Sequence, residues 1–249
     1  MFGRLRMREF VVARQALFLL ASLLVPFSIA SSQLLGSEAG AMHYPSPLGP
    51  GEIKSAIGLT LSKPPPEVVE EFSSVMRAPL FEYRILYGLP YDFMLDGRVT
   101  TILISNQFAL GAQWVYPLKP LGFAAGVDLA YWFGKLEIDG FDNFVNGWNA
   151  YPSVTVGYDF EKFTVTLKGE LDIILSQSKR VGDIVVSEDA GVFNGGAFSI
   201  YIEQPLWKDN YFTIGMKNNI VKFYYVVWPG FPTFDRYTYI PEFYFGFRL

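Results

Sequence analysis

Many charged side chains fall on one face of an alternating pattern that runs through most of the chain. They are Glu82, Arg84, Asp92, Asp96, Arg98, Asp128, Lys168, Glu170, Asp172, Glu203, Lys222, Glu242 and Arg248. Enclosed charges of opposite sign need one another, because an unpaired charge away from water is costly. Such a set serves as a salt-bridged filling, a polar path for a small solute, or an active site; the filling is the plainest of the three. For acid–base work the best pair is Glu170 and Asp172, two apart and so on one face of a strand. With Lys168 beside them they read as a polar ladder. The only histidine, His43, lies in a Pro- and Gly-rich stretch outside every expected strand, whereas a general base must be held within hydrogen-bond reach of its target. No catalytic residue is assigned.

Other chemistries are excluded by type and spacing. The chain has no cysteine, which removes disulfides, thiolate metal sites and cysteine nucleophiles. It has no phosphate-binding loop, nucleotide fingerprint or zinc spacing, so no cofactor or metal is expected. The acidic run Glu137-Ile138-Asp139-Gly140-Phe141-Asp142-Asn143 lacks the spacing of a calcium loop and reads as a solvated loop.

The elements that position the charges are strands. Period-two alternation recurs from Ile53 almost to the end, and predicts ten strands over 53–62, 80–88, 91–104, 107–117, 121–135, 147–160, 162–174, 193–204, 210–228 and 237–249. One face is aliphatic and aromatic: Phe81, Tyr83, Ile85 and Tyr87 in the second strand, Val165, Leu167, Leu171 and Ile173 in the seventh. The other is charged or small, with Gly58, Gly111, Gly126, Gly157, Gly215 and Gly246 on it. Small residues suit the crowded interior of a narrow barrel, and an aromatic face suits lipid and its interfaces. The alternation changes phase near Asn218-Asn219, where a bulge is expected.

Connections alternate in length. Those after strands two, four, six and eight are short, whereas 63–79, 136–146, 175–192 and 229–236 are long, as in barrels with short periplasmic turns and long outer loops. Within 63–79, Val68, Val69, Phe72, Val75 and Met76 take helical spacing, a candidate cap for the outer opening or an interfacial helix. The loop from Trp228 to Phe234 is aromatic and either meets a partner or extends an aromatic girdle.

The chain is 51% hydrophobic and 17% aromatic, with mean hydropathy +0.23. Past residue 30 no apolar run approaches the ~20 residues of a spanning helix. Residues 1–30 read as a secretory signal: Arg4, Arg6, Arg8 and Arg14, then an apolar stretch, then Ser28-Ile29-Ala30 as cleavage site. Cleavage there leaves 16 basic and 23 acidic side chains. No basic patch stands out, so nucleic acid is not an expected partner. Residues 31–52 read as a flexible periplasmic lead-in, and 53–249 as the barrel.

The last strand, Glu242-Phe243-Tyr244-Phe245-Gly246-Phe247-Arg248-Leu249, resembles the C-terminal signal of Gram-negative outer-membrane β-barrel proteins, with Leu249 in place of the usual terminal Phe or Trp. Arg84-Ile85-Leu86-Tyr87-Gly88-Leu89-Pro90 is similar to a hairpin of the same class. The resemblance covers nearly all of 53–249 and is one of class. It implies a transmembrane antiparallel up-and-down barrel, of about ten strands with eight or twelve as alternatives. It also implies that the barrel-assembly machinery recognises Phe243, Phe245, Gly246, Phe247 and Leu249, and that outer-membrane lipid and lipopolysaccharide are partners.

The lumen cluster is then Glu82, Arg84, Asp96, Arg98, Asp128, Lys168, Glu170, Asp172 and Arg248. The leading expectation is a non-enzymatic outer-membrane barrel: structural, surface-interacting or a narrow, porin-like solute passage. The alternatives are an outer-leaflet lipid or peptide hydrolase, and a secreted soluble barrel binding a small apolar ligand. No feature of the sequence speaks to oligomeric state.

Overall fold

The computed structural model describes residues 40–63, 78–102, 104–138, 141–182, 184–206, 210–230 and 236–249. Among them ten strands follow one another: β1 (Ile53–Ser62), β2 (Ala78–Gly88), β3 (Phe93–Ile102), β4 (Ser105–Leu118), β5 (Leu121–Ile138), β6 (Phe141–Asp159), β7 (Thr164–Val181), β8 (Ile184–Pro205), β9 (Tyr211–Val221) and β10 (Thr238–Arg248). Each pairs antiparallel with the next, and β1 closes on β10 from Ala56↔Arg248 to Ser62↔Glu242. Closure removes the open edges of a sheet. The expected ten-stranded up-and-down barrel is what the chain forms.

Alternation decides which way each side chain points. On β4, Phe108, Leu110, Trp114 and Tyr116 are exposed while Gln107, Ala109 and Val115 are buried. On β2, Phe81 is 59% exposed and Arg84 only 7%. The outer surface carries two aromatic belts. Near the end where β1 begins and β10 finishes, the terminal end of the barrel, Trp114 meets Tyr116 and Phe212 meets Phe247, at 5.9 and 5.0 Å between ring centroids. Toward the far end, Phe108 meets Phe133 and Tyr131 meets Trp148, at 6.4 and 5.1 Å. Leu110, Val127 and Leu129 lie exposed between the belts.

The six glycines expected on the enclosed face are there, and each makes room. A Cβ on Gly58 or Gly246 would strike Tyr244, one on Gly215 would strike Tyr201, and one on Gly111 would strike Asp128. On Gly126 it would strike Gln113, and on Gly157 it would strike Tyr44 and Pro45.

Three expectations are corrected. Residues 136–146 and 175–192 are largely strand, since β5 pairs with β6 as far as Ile138↔Phe141 and β7 with β8 as far as Val181↔Ile184. Backbone pairing there carries on past the apolar band, where outward residues such as Lys135 and Glu137 meet water and break the greasy alternation, while Asn143, Val145 and Gln177 stay buried on the inner face. The bulge expected at Asn218-Asn219 does not exist: β9 pairs without a shift on both sides and ends at Val221. Val221 and Phe223 point inward, so their apolar character marks the inside of the far mouth. Register shifts fall instead at Trp148/Asn149, Asp172/Ile173 and Lys179/Arg180.

The third correction concerns 31–52. Its described part is no flexible lead-in: Ala41, Met42, Tyr44 and Leu48 are buried, because the segment has entered the barrel. The expected signal (1–30) and the candidate helix near 68–76 lie outside the described residues.

Candidate functional site in the barrel lumen

The lumen is filled in three storeys. At the terminal end the segment Gly40–Leu48 is seated inside the wall. Glu203, 1% exposed, accepts hydrogen bonds from the backbone N–H groups of Met42 (2.7 Å), His43 (3.0 Å) and Tyr44 (2.9 Å), and from the Thr213 hydroxyl (3.2 Å). Three successive amides turned onto one carboxylate form an anion nest. Here the wall supplies the anion and the inserted segment the nest. Met42 and Leu48 pack on a collar of inward apolar residues, Ala56, Leu86, Met94, Val115 and Ala124. Tyr44 donates to the Pro120 carbonyl at 3.2 Å. The His43 ring stacks on Tyr201 at 3.8 Å and meets Tyr244 edge-on at 5.3 Å.

The middle storey is charged. Arg84 grips Asp96 with two donors, Nε to Oδ1 at 3.0 Å and Nη2 to Oδ2 at 2.5 Å. Its Nη1 donates to His43 Nδ1 at 2.9 Å. Glu170 binds Lys168 at 3.0 Å and Lys217 more closely, and Asp128 lies 3.8 Å from Arg98 and 4.0 Å from Lys168. A cavity of about 90 Å³ opens among His43, Glu82, Arg98, Lys168, Glu170 and Tyr244. Its size and polarity suit several waters.

The far storey is a latch beneath an apolar cap. Asp172 accepts from Asn149 Nδ2 and Asn194 Nδ2, both at 2.6 Å, and Asn149 accepts from Trp132 Nε1 at 2.9 Å. Asn194 also accepts from the Phe223 N–H (2.8 Å) and donates to the Phe223 carbonyl (2.9 Å), so its amide mimics a strand partner. A bulge aims it inward: Asp172 pairs with Gly195 and Ile173 with Phe193, leaving Asn194 as the extra residue. Gly195 has φ +143°, and a Cβ on it would lie 2.0 Å from the Ile220 carbonyl oxygen. No other residue fits there. Held this way, residues 223–228 fold into the mouth, and Phe223, Val226 and Trp228 pack with Leu80, Trp132, Val145, Ile174 and Ile240.

Charges lie within, and aromatic belts with apolar side chains between them lie without. That polarity is reversed for water and correct for a bilayer, where a closed barrel also satisfies its own backbone. The chain is an outer-membrane-type β-barrel. No protein-family model matches the chain, and no curated protein sequence does. Solved structures that it resembles include the N-terminal β-barrel domain of OprF from Pseudomonas aeruginosa (13% identity, 80% of this chain and 99% of that one, TM-score 0.36). Others are the translocator domain of the autotransporter NalP from Neisseria meningitidis (10%, 81% and 88%, 0.41) and an outer membrane channel from Pseudomonas putida F1 (8%, 81% and 97%, 0.40). Identities this low and superpositions this loose carry nothing about substrate or activity.

The membrane barrel brings together Glu82, Arg84, Asp96, Arg98, Asp128, Lys168, Glu170 and Asp172 as expected, but not Arg248. That residue sits at the terminal rim, its guanidinium carbon 5.9 Å from the Tyr211 ring centre. Asp92 is exposed in the β2–β3 turn, and Lys222 stands 5.1 Å over the Tyr237 ring outside the cavity. Glu170 and Asp172 do not form an acid–base couple; each is tied to different partners. Phe243, Phe245, Phe247 and Leu249 face outward and Gly246 inward. Phe81 and Phe245 are exposed while Arg84 and Glu170 are buried, the reverse of a soluble barrel with an apolar interior.

Sequence reasoning missed Lys217, although it shares parity with Thr213 and Gly215. It also missed the inserted segment, whose trace in the sequence is the apolar collar, Leu86, Met94, Val115 and Ala124, on an otherwise polar face.

The bilayer-facing side has a direct test. Leu110, 63% exposed between the belts and paired with Leu129, should tolerate no charge. Leu110→Arg is expected to destabilise the barrel in lipid vesicles by about 2–4 kcal/mol, the cost of Arg near a bilayer midplane. Urea unfolding in vesicles measures it, and an unchanged midpoint would place Leu110 in water.

Proposed function

We propose that this membrane barrel resides in the outer membrane of a Gram-negative bacterium after removal of residues 1–30. We propose further that it works without catalysis, as a narrow passage for small polar solutes that is shut at rest. In this reading Phe243, Phe245, Gly246, Phe247 and Leu249 are read by the barrel-assembly machinery, and outer-membrane lipid and lipopolysaccharide surround the belts. One observation carries the passage: a polar cavity lies between two chain segments inserted from opposite ends, where a purely structural barrel would be packed from wall to wall. Among the described residues, no serine or threonine hydroxyl bonds the His43 ring, which disfavours a hydrolase. A second reading, a stiffened structural or surface-interacting barrel, is favoured by the ion pairs that tie β2 to β3 and β7 to β9.

The closures are in series, so opening one is not enough. Glu203→Leu removes the acceptor of the terminal segment, and Asn194→Ala removes the grip on Phe223. In planar bilayers the unaltered protein and each single variant should give flat traces, whereas the double variant should give discrete steps. Heat-modifiable migration on detergent gels verifies that each is folded. A folded double variant that stays flat at every voltage ends the passage reading and leaves the structural one.

A further inference from the structure

We propose that Gly40–Leu48 is a proton-sensitive plug, seated while the His43 ring is neutral and expelled when that ring takes up a second proton. As a gate it rests on the passage reading; as a latch it stands on its own geometry.

The tautomer follows from the partner. A guanidinium has donors and no acceptor, so His43 Nδ1, 2.9 Å from Arg84 Nη1, accepts, and the ring hydrogen is on Nε2. Nε2 is itself buried and has no hydrogen-bond partner among the described residues. The only position left for another proton is Nδ1, where it would point at a guanidinium N–H and set two positive charges in contact.

The groups around the ring offer no relief. From β2 comes Arg84, with Glu82 on the shared cavity; from β3 come Arg98 and Asp96, and from β7 Lys168. From β8 come Tyr201 and Glu203, and from β10 Tyr244. Two of the three anions are already engaged, Asp96 by Arg84 and Glu203 by the segment's own amides. The third, Glu82, faces the cations Arg84 and Arg98. Burial, reinforced by Arg84, Lys168 and Arg98, holds the His43 imidazole well below its ordinary pKa.

The sign is then fixed. A released segment carries an ordinary histidine, so the released state binds the extra proton first. Seating is fully supported above the free pKa and is lost as pH falls below it toward the lower seated value. With a free pKa of ~6.5, lowering pH from about 7.5 to about 5.5 should raise the released fraction about tenfold.

The chain has no cysteine, so Met42→Cys, at a position 3% exposed when seated, gives a single thiol that reports release. Its labelling rate with a water-soluble maleimide is measured in the full-length protein in vesicles between those pH values. The same thiol in His43→Gln and His43→Phe backgrounds corrects for thiol ionisation, and the phenyl ring keeps the stack on Tyr201 without a proton to gain. The ratio of the Met42→Cys rate to that in either background should climb about tenfold on acidification. An unchanging ratio in both backgrounds overturns the latch. Conductance is recorded in parallel in the Asn194→Ala background, where the far closure is already released: a rising ratio with flat traces keeps the latch and removes the passage. Steps without a rising ratio keep the passage and remove the latch.

Discussion

Arg84→Ala should destabilise the barrel by about 3–5 kcal/mol, the loss typical when one member of a buried ion pair is removed. The side chains of Arg84 and Asp96 are 9% and 7% exposed and joined through two donors. Removing the guanidinium therefore leaves a buried carboxylate without its ion-pair partner, attracted only at longer range by Arg98 and Lys168. The effect has two parts that experiment separates. Urea unfolding in detergent micelles gives the total. The double variant Arg84→Met, Asp96→Leu removes both charges while roughly keeping volume, and should recover most of the loss, since apolar substitutes for a buried pair are often neutral or better. If the single variant costs under about 1 kcal/mol, the pair behaves like a solvent-exposed bridge, and the lumen is wetter than its geometry states. The variant should also leave the terminal segment less firmly seated, because Arg84 is the donor to His43 Nδ1.

Trp228→Ala should cost a similar amount, about 3–5 kcal/mol for deleting a buried indole, but at the opposite end of the lumen. Trp228 is 1% exposed and lies so close to Gly134 that a Cβ there would be 2.1 Å from its Nε1. Its cluster includes Trp132 and Phe223, whose ring centres are 5.2 Å apart. The void left by the indole cannot be refilled from the wall, because barrel strands are fixed by their ladders on both sides. The cap should loosen instead. Hydrogen exchange followed by mass spectrometry is expected to show faster exchange over 222–228, with the β7–β8 ladder near Lys168↔Ser199 unchanged. Equal acceleration in both regions would mean that the cap and barrel unfold as one unit, and that the far closure has no independent existence.

Alternation by itself carried the strands and the division of their residues into two faces; the closed barrel with its greasy face outward came with the resemblance, and the pairing of β1 with β10 bears it out. Period two is a local property: Phe81, Ile85 and Tyr87 lie on one side of β2 whatever the rest of the chain does. One greasy face and one charged or small face suit a bilayer-facing barrel or, turned inside out, a soluble one; Phe81 exposed and Arg84 buried decide for the first. Most lumen charges were legible for the same reason: parity with Thr213 and Gly215 also pointed Lys217 inward, whereas the phase change read after Asn219 put Lys222 there in its stead.

Tertiary structure alone decided how the lumen is closed. The bond from the Met42 amide to Glu203 joins residues 161 positions apart, and the Asn194–Phe223 clasp depends on one extra residue in β8. Neither leaves a periodic trace, since a segment that fills a barrel is chosen by the shape and charge of walls built from many distant strands. His43 shows the difference most plainly. In sequence it stands in a Pro- and Gly-rich stretch with no element to hold it; in the fold it is stacked on Tyr201 and bonded to Arg84 inside the barrel lumen.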